Sequence, residues 1–191
     1  MNRKTLALGS VALLVVALAI AAIWYVTHPA QTAQVQNASK TVTQSTLAAG
    51  AKAPEFEAST TAGLFDLAKT TKPVFLEVFA TWCPHCQRET QVLNKLFAQY
   101  GKQIAFVAVS GSDTGMDGSS PASQADVLAF AQKFAVAYPI AYDGQMTVFD
   151  LYNQGGYPTI VIIDKKKTIT YAASGEIAYA DLTAQIQRVL K

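Results

Sequence analysis

Val74-Phe75-Leu76-Glu77-Val78-Phe79-Ala80-Thr81-Trp82-Cys83-Pro84-His85-Cys86 contains both cysteines of the 191-residue chain, separated by two residues. The run Val74–Phe79 is apolar except for Glu77 and reads as a buried strand. Cys86 to Tyr100 reads as a helix, with Val92, Leu93, Leu96 and Phe97 on one stripe. A strand that feeds Cys-x-x-Cys into a helix start is a redox device. The helix end offers unpaired N–H groups and about half a positive charge, which favours thiolate over thiol. Cys83 is expected at that end, exposed, as the nucleophile. Cys86, one turn in, is expected to be buried and to resolve the mixed disulfide from inside.

The rival readings of two close cysteines fit poorly. A structural zinc site needs about four ligands, and the chain offers two Cys and two His, His28 and His85. Haem attachment of the c type needs His directly after the second Cys, and that residue is Gln87. A Cu(I)-binding metallochaperone is the reading from another class, since soft thiolates suit Cu(I). Its third ligand would have to be found outside the motif, and His28 sits far upstream.

Working outward, the 51% hydrophobic content is concentrated at the start of the chain. Leu6 to Val26 carries no charge and follows Arg3 and Lys4. At about 1.5 Å per residue it spans roughly 30 Å, the thickness of a bilayer core. Trp24 and Tyr25 fall at its far end, where interfacial aromatics belong. A cleaved signal peptide is the alternative, although its apolar region is usually only about 7–15 residues. The two basic residues place the N-terminus inside and the rest outside the cytoplasm. The expected organisation is a cytoplasmic N-terminus (1–5), a transmembrane anchor (6–27), a flexible linker (28–52) and a folded domain (53–191).

Charge divides along the same line. Of 15 basic and 13 acidic residues, only Arg3, Lys4 and Lys40 precede residue 48, leaving 12 basic against 13 acidic. No basic face points to nucleic acid. The linker is rich in Gln, Thr, Ser and Ala. The domain opens at Ala53-Pro54-Glu55-Phe56 with a short strand and a turn at Gly63. After the central strand and helix come a strand Ile104–Val109, a small-residue loop Gly111–Ala122, and a helix Ser123–Phe134. A short strand Tyr138–Ala141 and a short helix Thr147–Tyr152 lead to Gly155-Gly156-Tyr157-Pro158. Strands Thr159–Ile163 and Thr168–Ala173 then form a hairpin, and a helix from about Asp181 to Leu190 ends the chain. Alternating strands and helices that finish in a hairpin imply an α/β fold, a mixed central sheet flanked by helices.

These features together resemble the thioredoxin superfamily, and within it the membrane-anchored TlpA/ResA group. The matching features are Ala53-Pro54-Glu55-Phe56, Phe79 to Cys86, Glu89 three residues past Cys86, the insertion around 111–142, and Tyr157-Pro158-Thr159. The resemblance implies a thioredoxin fold with a TlpA-type central insertion and thiol–disulfide exchange with protein substrates outside the cytoplasm. It also implies that the Cys83–Cys86 disulfide is the only redox group, with no cofactor and no metal. A partner that supplies electrons, such as a DsbD/CcdA-type membrane thiol transporter, is implied too, as is a role in cytochrome c maturation. Thiol peroxidases of the superfamily can share the opening segment, but they place Thr three residues before the cysteine, where this chain has Ala80. Pro84-His85 resembles the dipeptide of the DsbA oxidase, so a DsbA-like disulfide oxidase is the alternative direction.

The remaining site residues follow from the same reading. His85, when protonated, would place a positive charge beside Cys83. Glu77, in an apolar strand, matches the place of a buried acid that deprotonates the second cysteine; its alternative is an ion-pair partner of Lys72 or Lys102. Glu89 shares a helix face with Cys86, or simply favours the helix dipole. Pro158 is expected to follow a cis bond, with the Tyr157 backbone opposite the dithiol for pairing an extended substrate. Trp82 is expected as an exposed aromatic contact for substrate.

Overall fold

The structure, a computed structural model, describes residues 47–191. The expected anchor 6–27, and with it His28, lies outside the described residues. Among the described residues no helix is long and apolar enough to cross a membrane. The elements in order are β1 (Glu57–Thr60), β2 (Gly63–Asp66), β3 (Val74–Phe79), α1 (Pro84–Tyr100), β4 (Ala105–Ser110), α2 (Gln124–Lys133), β5 (Ile140–Tyr142), α3 (Thr147–Tyr152), β6 (Thr159–Ile163), β7 (Ile169–Ser174) and α4 (Tyr179–Leu190).

Among the described residues seven strands form one mixed sheet in the order β2-β1-β5-β4-β3-β6-β7. β3 lies between parallel β4 and antiparallel β6, and all six of its residues are buried. Because successive side chains on a strand point to opposite faces, its apolar run divides between two cores. Phe75 and Phe79 pack with Leu93, Leu96, Phe130, Ile160, Ile162, Leu182 and Ile186. Val74, Leu76 and Val78 pack on the other face with Leu67, Val107, Val109, Tyr152, Val161 and Ile163. Each fully buried side chain of this size contributes roughly 1.5–3 kcal/mol. Glu77 has the parity of Phe75 and Phe79, so its carboxylate enters the core beneath α1.

Pro84 occupies the first turn of α1, where its missing N–H costs nothing and its ring pre-sets φ. The helix therefore starts two residues before the expected Cys86. Its buried stripe is Cys86, Glu89, Thr90, Leu93, Leu96 and Tyr100, at helical spacing. Ser123 caps α2, accepting from the Asp126 N–H at 3.3 Å and donating to its carboxylate at 2.5 Å. Residues 47–52, the end of the expected linker, are packed: Leu47 is buried, and the Gly50 N–H donates to Ile169 O at 2.8 Å.

Candidate active site

The sheet delivers Cys83 to the N-cap of α1 and Cys86 into its first turn, both as free thiols. The loop before β6 comes up against them. The Tyr157–Pro158 bond is cis, as expected, and the Cys83 thiol lies 3.8 Å from the Tyr157 carbonyl, to which it donates. That cover leaves Cys83 only 4% exposed, where an open position was expected, and Cys86 is 0% exposed behind it. The outer thiol is covered rather than displayed.

Trp82 precedes Cys83 and packs against the same cover. It is 37% exposed, its Nε1 donates to Ser112 Oγ at 2.9 Å, and its ring meets Tyr157 edge-on at 5.9 Å. The Tyr157 hydroxyl donates to Gly111 O. The insertion loop thus holds both aromatic residues, and it is itself closed by Thr114–Pro121 pairing and a Gly115 N–H to Ser120 O bond of 2.7 Å.

Behind the thiols lie two buried acids. Glu77 has the Tyr138 hydroxyl at 3.5 Å as its hydrogen-bonding neighbour, not Lys72 or Lys102. Burial first, then the nearby Glu89 charge, push its carboxyl up to about 8. Glu89 accepts from the Ile177 N–H at 3.3 Å through Oε2, while Oε1 has no partner. Burial pushes it up to about 7. The Cys86 thiol is driven far up by burial, and next by the Glu77 charge. An acid poised near neutral pH beside a reluctant thiol is suited to taking its proton.

In front of the thiols lie paired charges. His85 Nδ1 is 2.6 Å from Glu176 Oε1 and 2.9 Å from Arg88 Nη2. Arg88 also donates to Glu176 through Nη2 at 2.5 Å and Nε at 3.0 Å. The Arg88 bonds, then that of His85, hold the Glu176 carboxyl down at about 2.

A family model described as AhpC/TSA matches residues 49–172. The chain belongs to the AhpC/TSA family. Relatives narrow the type. The thiol-disulfide oxidoreductase ResA of Geobacillus thermodenitrificans is 30% identical over 148 residues, 75% of this chain and 79% of ResA. ResA of Geobacillus kaustophilus is 30% identical over 119 residues, and there the chain spans 63% of the relative's length. A Chlorobium tepidum structure assigned as thiol:disulfide interchange protein DsbE superposes with a TM-score of 0.65 at 26% identity, covering 75% of this chain and 99% of the other. The protein is a thioredoxin-fold thiol–disulfide oxidoreductase of the TlpA/ResA type.

In this TlpA/ResA-type protein, every residue expected at the site converges on the dithiol. Cys83, Pro84, His85 and Cys86 open α1, Trp82 precedes it, Glu77 and Glu89 lie beneath, and Tyr157-Pro158 lie opposite. Four neighbours were missed. Arg88, at i+3 from His85, was within reach of helix spacing. Tyr138, a polar tip in an apolar segment, needed a partner that β3 supplies. Ser112 and Glu176 carry no local signal, since each meets its partner across a long loop or most of the domain.

Proposed function

We propose that this chain is a membrane-anchored reductase of disulfides in extracytoplasmic proteins, with Cys83–Cys86 as its own electron carrier and no further cofactor. The observation that carries the reading is Cys83 at the N-cap of α1, 3.8 Å from the Tyr157 carbonyl, with Cys86 fully buried behind it. The Cys83 thiolate attacks a substrate disulfide, forming a mixed disulfide and releasing one substrate thiolate. Glu77 accepts the Cys86 proton, and Cys86 attacks Cys83 Sγ. The second substrate thiolate leaves, and the Cys83–Cys86 disulfide remains. The Tyr157 backbone and the Trp82 ring would hold an extended substrate segment beside Cys83.

The compartment and the partner rest on sequence. Arg3, Lys4 and the uncharged stretch Leu6–Val26 support an inner-membrane anchor with the domain outside. A dithiol there needs resupply, which favours a DsbD/CcdA-type membrane donor and substrates such as apocytochromes c. Pro84-His85 supports the opposite direction, an oxidase, through a stabilised Cys83 thiolate. Trapping decides the mechanism: Cys86→Ala should accumulate a mixed disulfide with a reactive disulfide peptide at Cys83. Loss of trapping in Cys86→Ala, or trapping by Cys83→Ala instead, would sink the reading.

A further inference from the structure

Three consecutive residues after β7 touch three different parts of the site. The Gly175 N–H donates to Pro158 O at 2.7 Å, in a left-handed turn with φ of 93°. Glu176 holds Arg88 and His85. The Ile177 N–H donates to Glu89 at 3.3 Å. Both neighbours of Glu176 are thus fixed by backbone bonds, so its carboxylate is presented to α1 rather than left to wander. Arg88 stays charged at any working pH, and it lies early in the helix whose N-cap is Cys83. The other charges around the dithiol are Glu77 and Glu89, buried behind Cys86, and Asp113, whose charge bears on Tyr157.

We propose that Glu176 is a positioning residue of the dithiol site, whose carboxylate holds and offsets the Arg88 guanidinium on the helix that Cys83 caps and so keeps the Cys83–Cys86 disulfide harder to reduce. The physical reason is sign. An unbalanced cation stabilises the thiolate and with it the reduced protein. Glu176 removes that advantage, so a Cys-Pro-His-Cys motif works at a lower potential than the motif alone would give. The pair is exposed, so solvent and salt weaken its influence, and the effect is a few-fold rather than many-fold.

This inference rests on Cys83 and Cys86 cycling between dithiol and disulfide. The test equilibrates the full chain with reduced and oxidised glutathione, in which the protein disulfide plus two glutathione thiols give the protein dithiol plus glutathione disulfide. Mass analysis after alkylation reads the oxidised fraction. The measurement is made at mildly alkaline pH, where Arg88 is still fully charged. For Glu176→Gln the equilibrium constant for reduction should rise about twofold to tenfold, where tenfold is about 30 mV. For Arg88→Gln it should fall, the double variant should return to within about twofold of wild type, and Glu176→Asp should keep most of the wild-type value. A merely structural role would move both single variants in the same direction. That outcome overturns the proposal, as does no shift in Glu176→Gln. Should Glu176→Gln melt early, Arg88→Gln alone still decides by its sign. A wild-type protein that forms no Cys83–Cys86 disulfide at any glutathione ratio would instead remove the exchange reading.

Discussion

The first turn of α1 separates two regions that treat charge in opposite ways. On its outer side His85, Arg88 and Glu176 are solvent-exposed and paired with one another. On its inner side Glu77 and Glu89 are buried, carry the same sign, and share one weak phenolic contact and one backbone donor between them. Outside, charges satisfy each other and each pair is worth little in water. Inside, an ionised carboxylate is costly, so both acids hold their protons to near-neutral pH. Proximity to the thiols therefore does not predict influence; burial does. The inner pair should control proton transfer and pH response, and the outer cluster should only trim the redox equilibrium.

Glu77→Gln gives the largest expected break. With its base gone, Cys86 should resolve the mixed disulfide about 100-fold more slowly, the lower end of the usual range for general base catalysis. Stopped-flow reduction of a small disulfide checks this, and an unchanged rate would place Glu77 among purely structural residues.

The stability profile comes next in size. Glu77 binds its proton up to about pH 8 when folded, against an ordinary value of 4.5. Stabilisation from that proton is complete below 4.5 and is lost as pH rises through 8. Glu77→Gln should flatten this fall and be the more stable form above pH 8, by on the order of 2–4 kcal/mol. Glu89→Gln should do the same over a narrower window ending near pH 7. Urea melts across the pH range read both. Identical slopes in wild type and Glu77→Gln would mean that the buried acid is not protonated in the folded state.

His85→Ala is the smallest. Loss of its cation should make the potential more negative, by less than about 30 mV, because Glu176 already faces His85 at 2.6 Å. A change well beyond 30 mV would mean that the outer charges are not offset, which would erase the contrast with the inner pair.

Local patterns made much of this legible. Short continuous apolar runs marked β3 and β6 with the bounds they have, and the stripe through Leu93 and Leu96 marked the body of α1, although its start fell at Pro84 and not at Cys86. Glu77 stood out because a carboxylate in an apolar run must be accounted for. Long-range contacts were not legible. Cys83 reads as exposed from its own segment, but a loop 74 residues away covers it. Glu176 lies 91 residues from His85, with no pattern that couples them. Residues 47–52 read as linker because backbone bonds to Ile169, and not side-chain periodicity, dock them. Strand β5 begins at Ile140, two residues after Tyr138, and Pro139 between them has no N–H to donate to a ladder.

Thiol reactivity in the reduced protein tests most directly the claim that one cysteine attacks and the other resolves. Limited treatment with iodoacetamide, followed by mass mapping, should place the first label on Cys83, with Cys86 labelled only after denaturation. First or equal labelling of Cys86 would contradict the assignment of roles on which the two-sided account of α1 depends.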